Sequence, residues 1–382
     1  MKKSVKVVKL FGIDVNLHYS WWIVFALLSW NLSSSFFPGY FPGETTNTYW
    51  FMGILASLLL FVLVLLHELA HSLVAKARNI KVESITLFFF GGVASITRED
   101  MKPSSEFLMA IAGPLFSFFL SGVFFLFYWL NINFIVTAIS FYLAQLNLVL
   151  AIFNLFPGYP LDGGRALRAI LHAYYKDLRK ATHIAVIGGK IFAGFLIFVG
   201  FMGLFSGEGA GLWLLVLGGF LYFIAGMSYE QVVFREELSK IKVKTLMNKK
   251  YSLIKPEMSF AKFTKKYSPT EEDVFVVKGR KFMGILDSRR IESMSVDVQK
   301  RIKIKQISLP ISQVKTLRKN DNAYTAFHKF AEQNLNLLPV VEKGKFLGIV
   351  TRKAVMHALV WNLKFGVCKR GQKVAKSLEG KK

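Results

Sequence analysis

Two histidines and a glutamate in the run Leu65-Leu66-His67-Glu68-Leu69-Ala70-His71 are the side chains best placed for chemistry. Helical spacing of four residues puts His67 and His71 on one face, with Glu68 alongside. Two neutral imidazoles so arranged can bind zinc, and the adjacent carboxylate can take a proton from a water, which is the division of labour in HExxH hydrolases. The motif is short, but its place adds weight. Ionisable side chains inside an otherwise apolar helix are costly and demand partners or a polar cavity. His71 stands five residues before Lys76, so the site lies within roughly 15 Å of the basic end of its helix. The alternative is a pair of hydrogen-bonded histidines at a membrane interface, with no metal.

A catalytic zinc takes three protein ligands and leaves one position open. Asp162, in Phe156-Pro157-Gly158-Tyr159-Pro160-Leu161-Asp162-Gly163-Gly164-Arg165, is the best third ligand. Pro157 and Pro160 break the preceding helix, so the backbone around Asp162 can fold back toward the metal. A second role stays open, in which Asp162 caps the helix that begins at Gly163. The other five histidines are weaker candidates: His18, His172, His183, His328 and His357 lie before a span, beside a loop or in the second half of the chain.

These residues must be held by membrane helices. The chain is 53% hydrophobic and 19% charged, too apolar for an ordinary soluble protein, and its apolar residues crowd into the region before Gln231. Six stretches are long enough to cross a bilayer, at about 20–36, 50–77, 105–130, 134–156, 183–205 and 211–229. Lysines and arginines flank alternate ends: Lys2, Lys3, Lys6 and Lys9, then Lys76, Arg78, Lys81, Arg98 and Lys102, then Arg165, Arg168, Lys176, Arg179 and Lys180. The intervening connections carry none. Both termini are therefore expected in the cytoplasm of a multi-pass plasma-membrane protein. Alternating residues around Gly91 and Gly92 predict a membrane-associated β-hairpin. The net charge of +25 follows from this topology, and no basic patch accompanies a readable nucleic-acid motif, so no nucleic-acid partner is expected. The opening residues show no removable signal peptide, and the single Cys368 leaves no intramolecular disulfide.

Beyond Gln231 the chain changes to a soluble alternation of short strands and helices. Two segments repeat at a period of about sixty residues, closing on Lys281-Phe282-Met283-Gly284-Ile285-Leu286 and Lys345-Phe346-Leu347-Gly348-Ile349-Val350. The last stretch, 364–382, is basic and short of apolar residues, and is expected to be disordered.

Taken together, His67-Glu68-Leu69-Ala70-His71, Ala112-Gly113-Pro114, Asn154-Leu155-Phe156-Pro157 and Leu161-Asp162-Gly163-Gly164-Arg165 resemble the site-2 protease family of intramembrane metalloproteases. The likeness is to archaeal and bacterial members that end in paired CBS domains. It implies one zinc per subunit on His67, His71 and Asp162, Glu68 as general base, and Asn154 as a donor to the oxyanion. The substrate would be a membrane-anchored protein cut within or near its spanning segment. Asn147, on nearly the same helical face as Asn154, is expected instead to make an interhelical hydrogen bond. The expected fold is an α-helical polytopic membrane domain over 1–230 with six transmembrane helices and the hairpin, followed by a soluble α/β tandem CBS domain, with CBS motifs at 241–298 and 303–363. Such a pair implies regulation, often by adenine nucleotide, and a surface through which a homodimer can form. The aspartate expected to bind ribose is replaced by Ala354 in the second repeat, and Arg290 stands at the equivalent place in the first, which argues against nucleotide binding. A CBS-regulated metal-ion transporter is the competing reading, but residues 1–230 show no repeated halves with matching broken helices. A prenyl-protein protease is disfavoured because the distal ligand is an aspartate.

Overall fold

The computed structural model describes residues 4–89, 91–96, 101–205, 210–267, 275–279, 283–286 and 302–365. Arg290, Cys368 and the basic tail beyond Phe365 lie outside the described residues. The chain divides between Val232 and Val233 into two compact units.

Among the described residues five helices are long and apolar enough to cross a membrane: α3 (Thr46–Ala77), α4 (Pro103–Leu130), α5 (Phe134–Leu155), α7 (Leu178–Phe205) and α8 (Ala210–Lys240), the last running past the division between the units. Their starts are chemically marked. Thr45 and Asn133 accept backbone N–H groups of Thr48 and Val136 at the heads of α3 and α5, and Pro103 opens α4. With 32 residues, α3 is about 48 Å long, more than a bilayer core requires. Large apolar side chains such as Phe118, Phe119 and Trp129 point outward from α4. This is a multi-pass membrane protein.

The first expected span differs from the other five. It is helical from Ser20 to Tyr40, but as α1 (Ser20–Asn31), a π-helical turn over Leu32–Phe36 and α2 (Phe37–Tyr40). The wide turn coincides with three serines, where Ser33 Oγ donates to the Ser29 carbonyl and Ser34 Oγ to that of Trp30, at 2.7 and 2.8 Å. Such back-bonding competes with the helical ladder and bends it.

A four-stranded sheet precedes and follows α1 to α3 in the chain. Its strands β1 (Ser4–Leu10), β2 (Ile13–His18), β3 (Val82–Phe88) and β4 (Gly91–Ile96) lie in that order. β1–β2 and β3–β4 are antiparallel hairpins, and β2 runs parallel to β3. Ile13, Ile85 and Leu87 of the sheet pack with Trp21 of α1 and with Phe61 and Leu69 of α3. That shared core fixes β3 and β4 beside the segment of α3 that carries the two histidines.

α5 stops at Leu155, ahead of a loop holding a cis Tyr159–Pro160 bond, and α6 (Asp162–Tyr175) starts at once afterwards. The Tyr159 N–H donates to the Ala185 carbonyl at 2.9 Å, which ties the loop to α7. α4 packs against α3, α5 and α6.

The second unit has a sheet of Ser252–Ile254, Phe275–Lys278, Met283–Leu286 and Leu309–Pro310, and an antiparallel pair, Leu337–Glu342 with Lys345–Thr351. Phe330 from the helix Ala323–Gln333 and Val355 from the helix Arg352–Phe365 share a core with Val340 and Ile349.

Candidate metal centre

α3 presents His67 and His71 one turn apart, with ring centroids 4.8 Å from each other. The start of α6 brings Asp162 between them. Asp162 Oδ2 lies 3.3 Å from His67 Nε2 and 3.0 Å from His71 Nε2, and the two Nε2 atoms are 3.2 Å apart. One ligand atom from each residue falls within 4.8 Å of the others. Asp162 is not the helix cap: Leu161 holds that position, and no side chain caps the helix there.

The outer atoms of the three side chains are also engaged. His71 Nδ1 is 2.6 Å from the Met109 carbonyl, an acceptor only, so the ring carries its proton on Nδ1 and turns the Nε2 lone pair to the centre. His67 Nδ1 is 2.8 Å from Ser117 Oγ. Arg165 Nη1 donates to Asp162 Oδ1 at 3.3 Å, leaving Oδ2 for the cluster. The centre also has room that only glycine can leave. A Cβ at Gly113 would stand 2.7 Å from His67 Nε2 and closer still to His71 Nε2. Converging electron pairs, engaged rear atoms and space above the Nε2 atoms suit a zinc with three protein ligands and an open position.

Glu68 follows His67 and faces β4. A Cβ at Gly92 would meet Glu68 Cγ and lie 3.0 Å from Cδ and 3.2 Å from Oε1, so the strand backbone runs directly against this carboxylate. Asn154, next to last in α5, is not one of the clustered groups, and among the described residues its amide makes no hydrogen bond. Asn147 departs from expectation: its Nδ2 donates to the Leu143 carbonyl of its own helix at 2.8 Å, so the bond is intrahelical. The Leu143 carbonyl, which already accepts a helical N–H, has a second lone pair for this amide. The remaining histidines lie elsewhere, His18 with Ser20, His183 against the Tyr229 ring, His328 with Glu332 and His357 with Trp361. His172 sits in the last turn of α6.

Sequence reasoning gave no role at the centre to Met109, Ser117, Arg165 or Gly92. The first three follow motifs already noted, since Gly113 lies four residues from both Met109 and Ser117 and Arg165 lies three from Asp162.

A multi-pass membrane helix domain with a buried His-His-Asp cluster beside a glutamate defines a membrane metallohydrolase. The family model of peptidase family M50 matches residues 55–132 and 130–199, and that of the CBS domain matches 304–360. A zinc metalloprotease of Methanocaldococcus jannaschii is 31% identical over 364 residues, which span 94% of this chain and 97% of that protein. A solved site-2 protease from Methanocaldococcus jannaschii is 33% identical, covering 59% of this chain and 94% of its own, with a TM-score of 0.41. The chain therefore belongs to peptidase family M50, the site-2 zinc metalloproteases, and it carries a CBS domain. Family membership favours the protease over the transporter reading.

Proposed function

We propose that this protein is an intramembrane endopeptidase that cuts membrane-anchored protein substrates within or near their transmembrane segments. The observation that carries the reading is the convergence of His67 Nε2, His71 Nε2 and Asp162 Oδ2 beside Glu68. In it, these three side chains hold one zinc per subunit. Zinc, when bound, supplies Lewis-acid polarisation of the scissile carbonyl and makes water a usable nucleophile near neutral pH. Glu68 takes a proton from the attacking water at Oε1 and returns one to the leaving amine. Asn154 donates from Nδ2 to the developing oxyanion, for which its amide, unpaired among the described residues, is free. The open edge of β4 receives an unwound substrate segment as an added strand, which would draw the scissile bond past Gly92 toward Glu68.

The helical run from Ser20 to Tyr40 serves as a sixth span, which puts both termini on the cytoplasmic side of the plasma membrane, as the basic flanks require. Residues 1–230 form the protease domain, and the sheet lies at the membrane. Residues 241–298 and 303–363 form two CBS motifs that regulate it and offer a homodimer contact.

The test is paired. Wild type and Glu68→Gln are compared for cleavage of a membrane-anchored substrate in detergent and for zinc flux in liposomes. Glu68→Gln keeps shape and zinc but lacks the base, so cleavage should fall at least about 100-fold, the lower figure for a positioned proton-transfer group. Zinc flux without cleavage in the wild type would overturn the proposal.

A further inference from the structure

Met109, Gly113 and Ser117 recur every four residues along α4 and so form one stripe of that helix. None is a candidate ligand, yet each meets the histidines of α3. The Met109 carbonyl takes His71 Nδ1–H, Gly113 leaves the space above the two Nε2 atoms, and Ser117 Oγ pairs with His67 Nδ1. We propose that Ser117 is a positioning residue for His67, holding its Nδ1–H so that the Nε2 lone pair faces the metal, and that zinc affinity depends on this serine although it never touches the ion. The inference rests on the metal reading above.

The two imidazoles are supported unequally. His71 is held by a backbone carbonyl, which no side-chain substitution removes. His67 is held by a hydroxyl, and without it the ring keeps only the backbone of Gly113 as a nearby acceptor and is freer to turn its other edge to the centre. Ser117 and His67 are both buried, at 0% and 4% exposure, so water does not readily replace the lost partner.

A serine that only satisfied itself would back-bond to the carbonyl four residues earlier. Ser33, Thr182 and Ser228 of this chain do so, at 2.7, 2.7 and 2.8 Å. Ser117 does not: among the described residues its hydrogen bond goes to His67, fifty positions away in sequence. One turn further along α4, Ser121 donates to the Ala144 carbonyl of α5 at 2.8 Å. It is a built-in control, a buried serine of the same helix that bonds across an interface without touching a ligand.

Zinc affinity of the full chain in detergent is measured by chelator competition for wild type, Ser117→Ala, Ser117→Cys, Ser117→Thr and Ser121→Ala. Outer partners of metal-binding histidines are typically worth about 10- to 100-fold in affinity. Ser117→Ala should lose that much, and Ser117→Cys, which keeps the volume but offers only a weak sulfur acceptor, should fall the same way. Ser117→Thr restores the hydroxyl and should recover affinity, while Ser121→Ala should match wild type. Cobalt(II) absorption bands, sensitive to ring orientation, should change for Ser117→Ala and not for Ser121→Ala. Wild-type zinc affinity in both Ser117→Ala and Ser117→Cys, or an equal loss in Ser121→Ala, would overturn the positioning role. A wild-type chain that binds no zinc would remove the metal reading itself, so the two failures are distinguishable.

Discussion

Removing either partner of the Glu106–Arg168 ion pair should destabilise the membrane unit far more than removing both. Glu106 opens α4 and Arg168 lies in the second turn of α6, at 4% and 7% exposure. The guanidinium directs Nε, at 2.8 Å, and Nη2 onto the same Glu106 Oε1, and it sits 4.9 Å from the centre of the Tyr159 ring. In Glu106→Met the cation stays buried with only Tyr159 against it, whose ring contact is worth about 0.5–2 kcal/mol. Breaking a buried pair in this way costs about 3–5 kcal/mol, whereas replacing both charges with apolar side chains of similar volume is often nearly neutral. For a unit of this size each kcal/mol moves Tm by about 2–4 °C, so each single variant should lose roughly 6–20 °C. Glu106→Met/Arg168→Met should recover most of that loss. The assay is thermal unfolding of the full chain in one detergent, followed by tryptophan fluorescence, for all four members of the cycle. A double variant whose loss equals the sum of the singles would refute the view that uncompensated burial sets the penalty. The cycle also reaches the metal centre. Arg168 stands six residues after Asp162, about 9 Å along α6, so the same variants should weaken zinc binding in proportion.

Gly113→Ala should abolish zinc binding with every ligand intact, because its Cβ would stand 2.7 Å from His67 Nε2; chelator competition checks this, and normal zinc content would refute the cradle. Gly92→Ala should lower cleavage while zinc is retained, since the new methyl would displace Glu68; unchanged turnover of a membrane-anchored substrate would separate β4 from the carboxylate. Calorimetry of the full chain with ATP and AMP should show weak or no binding, because Ala354 offers no carboxylate and its N–H is already held by Thr351 Oγ1 at 3.2 Å; tight, specific nucleotide binding would refute this.

What the sequence discloses here depends on the range of the contact. His67, Glu68 and His71 are near neighbours on one helix, so spacing alone brings them together, and the pair of prolines before Asp162 marks the broken helix that turns it inward. The antiparallel pairing of β3 with β4 is legible for a similar reason, with alternation on both sides of Gly91. Met109 and Ser117 were invisible because their bonds to His71 and His67 span 38 and 50 residues, and a backbone carbonyl has no residue type to betray it. The wide turn at Leu32–Phe36 escaped because three serines in an apolar run read equally well as ordinary helix, and Asn147 misled because an amide can find its acceptor within its own helix as readily as across an interface.

α4 donates no ligand to the candidate centre, yet it controls the geometry more closely than either helix that does. For the Met109 carbonyl and the Ser117 hydroxyl to reach the two Nδ1 atoms at 2.6 and 2.8 Å, the helix must lie hard against the imidazoles. At that approach a side chain at the intervening position would enter the space where the Nε2 lone pairs meet, which is why glycine stands there. Close helix approach through small residues is a general way to hold membrane helices together in the absence of a hydrophobic drive. Here the same glycine also sets the free volume at the cluster, so helix packing and metal geometry are one variable. A variant that pushes α4 away from α3 by even a methyl should therefore loosen the supports of His67 and His71 together.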